Sequence, residues 1–284
     1  MYTVRPSRAN PTCFLFLLDQ SGSMANSFGT DGNVRKADFV ADVVNRTLHD
    51  LIIRCTKTTE IRNYYHVAVI GYGGVVSPAF SGYLAAQKMF PISQVAEYPV
   101  RVEKRHKKIL DGAGGIVEQP VKFPVWVEPQ AEGKTPMCSA LAQAKVLLQE
   151  WVASHASGFP PTVLHLTDGE STDGDPTPLG REIMSLRTDD GPVLLFNCHV
   201  SSLPARPLLY PSDSSSLTDV FGRALYSISS PFPEAFLGVA PQMGLHLGEG
   251  ARGFIFNADP ASLAQSIEIG TSTTPAAPQP YSWM

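Results

Sequence analysis

Cysteine is scarce in this chain: four residues in 284, Cys13, Cys55, Cys138 and Cys198. No two of them form a CxxC pair, and no cysteine–histidine spacing fits a zinc site. Each stands among apolar residues, which predicts buried, reduced thiols and suits a reducing compartment. Long hydrophobic runs are missing as well. No stretch approaches the roughly 18 apolar residues of a membrane-spanning helix. Charge of one sign is not in excess either: 22 Lys and Arg stand against 26 Asp and Glu, a formal net charge of −4. Wholesale nucleic-acid binding is therefore not implied. Internal repeats are absent, and the opening MYTVRPSRANPT lacks a leader pattern. Together these absences lead us to expect a soluble cytoplasmic protein with no membrane partner.

Apolar residues make up 43% of the chain, enough for a substantial core. The length suits one large domain, or one domain carrying insertions. Strand-like and helix-like patterns alternate. CFLFLLD, from Cys13 to Asp19, is short and continuously apolar, as a buried strand is. KADFVADVVNRTLHDLIIRC follows with apolar residues at helical spacing, an amphipathic helix. HVAVIGYGG reads as a second strand, and MCSALAQAKVLLQEWVASHA, from near Met137, as a second long helix. TVLHLTDGEST and VLLFNCHVS read as further strands, with a helix over 177–187 between them. Helices are expected over 216–227 and 260–267, with GFIFN as a short strand between. Such alternation predicts an α/β fold with a mainly parallel central sheet covered by helices on both faces.

Residues 75–133 break the pattern. They hold no convincing crossover helix, and alternation around Gly112 to Gly115 predicts a β-hairpin insertion outside the central sheet over 100–128. The sheet-bearing domain is expected to span 1–270, with a disordered Thr/Ala/Pro-rich tail over 271–284. Tyr281 to Met284 at its end reads as a frayed terminus or as a docking motif on a flexible linker.

Ligands of parallel sheets gather at the carboxyl ends of the strands, and two acids stand there: Asp19 and Asp168. Asp19, Ser21 and Ser23 form D-x-S-x-S directly behind a strand. Gly22 and Gly29 ease the turn that aims alternate side chains at one point. GKTPM presents Thr135 just before a helix, and LTDGE presents Asp168. Two carboxylates and three hydroxyls suit a hard cation that binds six oxygens and retains water. The expected ion is Mg²⁺, with Mn²⁺ as a working substitute.

DQSGS, the Thr of GKTPM and LTDGE resemble the metal-ion-dependent adhesion site of von Willebrand factor A (VWA) domains, in the family's order. The resemblance spans about residues 12–270, interrupted by 75–133. It implies a Rossmann-like fold and Mg²⁺ at the top of the sheet, held by Asp19, Ser21, Ser23, Thr135 and Asp168. It also implies a partner protein whose Asp or Glu completes the metal's shell. DQSGSM without a leader is similar to intracellular bacterial VWA proteins of tellurium-resistance and related stress or conflict systems. Those often work beside kinases, phosphatases or ATPases. The implied function is a non-enzymatic, Mg²⁺-dependent protein-interaction module.

Two other classes compete with this one. A phosphohydrolase of the haloacid-dehalogenase type would need a second Asp two residues after Asp19, where Ser21 stands. A structural subunit with a vestigial metal site would bind its partners without metal. QSGSM lacks the order of a serine-hydrolase elbow. His165 and His199 lie within apolar strands and read as core histidines. Asp173 and Asp175 read as plain loop acids or helix N-terminal groups before they read as an acidic rim. KRHKK, residues 104–108, reads as a solvated hairpin face, or else as a dock for an acidic protein surface.

Overall fold

The computed structural model describes all residues except 29–33, 111–115, 202–205, 239 and 272–284; within its helices and strands, the side chains of 107–110, 116, 235, 242 and 243 are not described. In chain order, the strands of its main sheet and of its long hairpin are β1 (Thr12–Asp19), β2 (Tyr65–Tyr72), β3 (Val76–Pro78), β4 (Phe90–Pro91), β5 (Arg101–Leu110), β6 (Ile116–Val125), β7 (Thr162–Thr167), β8 (Leu194–Val200), β9 (Leu208–Leu209) and β10 (Phe254–Ala258). The helices are α1 (Lys36–Cys55), α2 (Ile92–Glu97), α3 (Met137–Ser154), α4 (Thr177–Ser185), α5 (Val220–Ser227), α6 (Glu234–Leu237) and α7 (Pro260–Gly270).

β1 is apolar from Cys13 to Leu18 and buried along its whole length. Because side chains alternate across a strand, it feeds two cores. Phe14, Phe16 and Leu18 pack with α1 and α7 on one face of the sheet. Cys13, Leu15 and Leu17 pack with α3, α4 and α5 on the other. A strand covered on both sides needs no polar face, so CFLFLL reads as one unbroken run.

The main sheet runs β9-β10-β8-β7-β1-β2-β3, with β4 also beside β2. β2, β1, β7, β8 and β10 are mutually parallel. The short edge pieces β3, β4 and β9 run antiparallel. This is the α/β arrangement the alternation predicts, and it is Rossmann-like, as the resemblance implies. Reduced to its parallel strands in chain order, the sheet reads 2-1-3-4-5. The order reverses between β1 and β7, and a crevice opens at the carboxyl ends of strands on either side of such a reversal. Asp19 ends β1, and Asp168 follows β7.

β5 and β6 pair with each other over ten residues each, outside the main sheet. The predicted hairpin is therefore present, and its glycine turn, 111–115, lies outside the described residues. Its predicted bounds were too wide, because Phe123, Val125, Trp126 and Val127 are core residues. The base of the hairpin is thus part of the domain. The break in the α/β pattern also contains a helix the sequence reading lacked, the six-residue α2. Three predicted helices prove shorter. α3 ends at Ser154. α5 begins at Val220, where Asp219 accepts from the Gly222 N–H as its cap. α4 ends at Ser185. Among the described residues, no helix is long and apolar enough to cross a membrane. The predicted tail, apart from Thr271, lies outside the described residues.

Candidate metal centre

Three chain segments interlock to build the site. Behind β1, the Gln20 N–H donates to Tyr72 O (2.7 Å), and the Gln20 carbonyl accepts from the Glu132 N–H (2.7 Å). The Gly22 N–H donates to Gly133 O (3.1 Å). The segment before α3 is thereby stitched to the loop after β1. The crossing is too tight for side chains. A Cβ on Gly73 would lie 2.5 Å from Gln20 O, and one on Gly133 would lie 2.4 Å from Gly74 N. Gly133 also has φ +79°, a left-handed conformation that favours glycine. Gly73 and Gly74 after β2, with Gly133, thus let three backbones touch, and this contact fixes Thr135 two residues later.

Asp19 is the innermost acid, 1% exposed. Its Oδ1 accepts from the Ser21 N–H (2.9 Å) and its Oδ2 from Thr167 Oγ1 (2.7 Å). Burial pushes its pKa above the ordinary carboxylate range; the Ser21 and Thr167 hydrogen bonds oppose this, and nearby Asp168 adds to it. Ser21 and Ser23 hydroxyls lie 3.1 Å apart. Ser23 Oγ donates to Asp168 Oδ1 (2.6 Å). Thr135 is buried, and a Cβ built on Gly169 would lie 3.6 Å from Thr135 Oγ1 and 4.0 Å from Ser23 Oγ. The glycine of LTDG therefore keeps a small space open between the threonine and serine hydroxyls. Ser23 is exposed, so the cluster opens to solvent on that side. Gly29 lies outside the described residues.

All five predicted residues are brought together. The donor set passes a charge test for a hard cation. Asp168 is compensated by Lys36, whose Nζ lies 2.8 Å from its Oδ2. Asp19 has hydrogen-bond donors and no described ion-pair partner. A buried carboxylate so placed gains strongly from a nearby positive charge. Two carboxylates and three hydroxyls match oxygen-seeking Mg²⁺. Among the described residues no group of three or more His, Cys, Asp or Glu is placed to hold a metal ion, so a cation at this site would rely on the hydroxyls beside the two carboxylates.

Several neighbours were not foreseen. Lys36, which opens the amphipathic helix, is 5% exposed and paired with Asp168. A signal was available: a lysine in the first turn of a helix opposes the helix dipole, which points to an acid facing it. Thr167, the last residue of β7, orients Asp19 through its hydroxyl. Asp173 is a helix cap, as read: it accepts from the N–H groups of Cys138 (2.9 Å) and Ser139 (2.8 Å) at the start of α3. Burial works against its charge, but hydrogen bonds from Ser139, Cys138 and Ser171 outweigh it and hold its pKa low. Asp175 accepts from the Thr177 N–H (2.9 Å) at the start of α4.

His165 is a core histidine, as read. Its Nδ1 donates to Asn197 Oδ1 (2.8 Å) and its Nε2 accepts from the Tyr72 hydroxyl (2.6 Å). Burial lowers its pKa to about 4, so the ring is neutral. His199 is only partly enclosed; it stacks on Phe256 at 4.7 Å, and burial lowers its pKa to about 4. Three cysteines are buried as expected, and Cys138 is the exception. It begins α3 at the site's margin, with Sγ 3.6 Å from Ser171 Oγ.

No protein-family model and no curated protein matches the chain. Among solved structures, the chain is similar to the three N-terminal domains of the type V pili tip protein Mfa5 from Porphyromonas gingivalis. That match has 12% identity and a TM-score of 0.32, and covers 57% of this chain and 20% of that one. It is similar to the vWF domain of the same protein at 12% identity and a TM-score of 0.30, covering 57% of this chain and 39% of that one. This chain therefore matches less than half the length of either structure.

Proposed function

We propose that this protein is a non-enzymatic, Mg²⁺-dependent protein-interaction module of the VWA type. The observation that carries the reading is the convergence of five oxygen-bearing side chains, from three separate segments, at the crevice where the strand order reverses. Asp19, Ser21, Ser23, Thr135 and Asp168 would hold the ion. When bound, Mg²⁺ supplies a hard, electrophilic centre with affinity for carboxylate oxygen. Asp19 and Asp168 bring two negative charges, and Lys36 takes up one. An Asp or Glu of a partner protein is therefore a suitable external ligand, and its affinity is linked to metal concentration. Exposed Ser23 marks the side from which that carboxylate arrives. The resemblance to intracellular bacterial VWA proteins supports a cytoplasmic stress-response or defence complex. A kinase, phosphatase or ATPase of the same system is then the candidate partner.

Calorimetric titration of Mg²⁺ tests the site. Asp19→Ala removes one anionic ligand, and the expected result is a loss of Mg²⁺ binding with the fold intact. Equal Mg²⁺ affinity in wild type and variant would overturn the site assignment. Pull-downs from the native cell with Mg²⁺ or with EDTA test the partner step. Identical recovery under both conditions leaves a structural subunit. Metal-dependent release of phosphate from a phosphomonoester would indicate a phosphohydrolase.

A further inference from the structure

Asp168 is fully engaged by groups of its own chain. Ser23 Oγ holds Oδ1 at 2.6 Å, and Lys36 Nζ holds Oδ2 at 2.8 Å. The Lys36 and Asp168 side chains are 6% and 0% exposed, so water screens this ion pair little. Lys36 is also anchored through its backbone, its N–H donating to Asn26 O (3.0 Å). That bond ties the start of α1 to the turn behind Ser23. The ammonium is thus delivered to the site by the same loop that delivers the serines.

We infer that Lys36 is a tethered cation that competes with the divalent ion for Asp168. This rests on the metal reading above. A metal drawn to both carboxylates must share Asp168 with the ammonium, whether it takes Oδ1 beside Ser23 or Oδ2 beside Lys36. Two cations on one carboxylate repel each other, most strongly where water is excluded. Without lysine, a divalent ion balances Asp19 and Asp168. With lysine in place, one positive charge is left over. Lys36 therefore sets the metal affinity of the site below what its oxygen ligands alone would give. Loading the metal weakens the hold of the ammonium on Asp168 by repulsion, which leaves Lys36 more open to solvent.

The test compares Lys36→Met with wild type by calorimetric Mg²⁺ titration. Methionine keeps the length and removes the charge. The expected result is Mg²⁺ binding tighter by about tenfold or more. The second measurement uses the wild-type chain and so does not depend on the variant folding. Lys36 acetylation by acetic anhydride is read by mass spectrometry in MgCl₂ and in NaCl of equal ionic strength. Acetylation of Lys36 should rise in MgCl₂. Wild type that binds Mg²⁺ while Lys36→Met binds it no more tightly, or with Lys36 acetylation unchanged, overturns the competition and leaves the metal reading standing. Tight binding by Lys36→Met alone supports the competition in its strongest form. Absence of Mg²⁺ binding by both proteins overturns the metal reading and this inference with it.

Discussion

Helix α1 holds two regions that could hardly differ more. Its first residue, Lys36, closes the carboxyl end of the sheet on buried Asp168. Its middle holds the hairpin insertion: Asp42 pairs with Arg105, and Asn45 ties down the chain just after β6. There Asn45 Oδ1 accepts from the N–H groups of Trp126 (2.8 Å) and Val127 (3.0 Å), and its Nδ2 donates to Val127 O (2.9 Å). At the first region, charges are enclosed and backbones touch without room for a Cβ. At the second, side chains beyond the base stand in solvent, as Lys104 and Lys122 do while facing each other across the strands. Electrostatic energy depends on enclosure. A charge removed from the first region should cost much, and a charge removed from the second should cost little.

The largest effect should come from Asp168→Ala. It strands a buried ammonium, and breaking such a pair from one side costs about 3–5 kcal/mol. Urea unfolding of wild type and variant measures this. A loss below about 1 kcal/mol would show that Lys36 reaches water and that the enclosed end is not enclosed.

A comparable effect should appear in acid, through His165. Its folded pKa is about 4, against about 6.5 in an unfolded chain. As pH falls through that window, the unfolded chain takes up a proton and the folded one does not. Stability is therefore lost on acidification, by about 3 kcal/mol for this group. His165→Gln should be less stable at neutral pH yet show a flatter fall between pH 6.5 and 4. Parallel pH profiles would mean that the imidazole finds a proton without unfolding. His199 shares the direction and adds to the wild-type slope.

The smallest effect belongs to the hairpin. Lys104→Ala and Lys122→Ala should each change stability by no more than about 0.5 kcal/mol. Relief of a like-charge cross-strand pair makes a slight gain the favoured sign. A loss above about 1 kcal/mol from either would erase the contrast between the two regions.

Much of this molecule was legible in the sequence. CFLFLL was legible as a buried strand because it is a short run of six apolar residues that stops at a polar loop, too short for a buried helix. The helical spacing of 36–55 gave α1 with its bounds. The hairpin followed from alternation around a glycine turn. Asp19, Ser21 and Ser23 were close in space because they are close in the chain, and Asp168 followed from its place at a strand end. Other features depend on contacts between segments remote in sequence. Thr135 reaches the cluster because Gly133 passes against Gly73 and Gly74, and a lone threonine carries no local mark of that crossing. Trp126 belongs to the core because α1 supplies Asn45 to its backbone, so periodicity alone placed the hairpin's base too far outside. Lys36 meets Asp168 across 132 residues of chain. The sequence determined which residues bear oxygen and charge, because side-chain chemistry and local period are written in it. The tertiary structure decided which charges are compensated, because compensation depends on distance and on the exclusion of water.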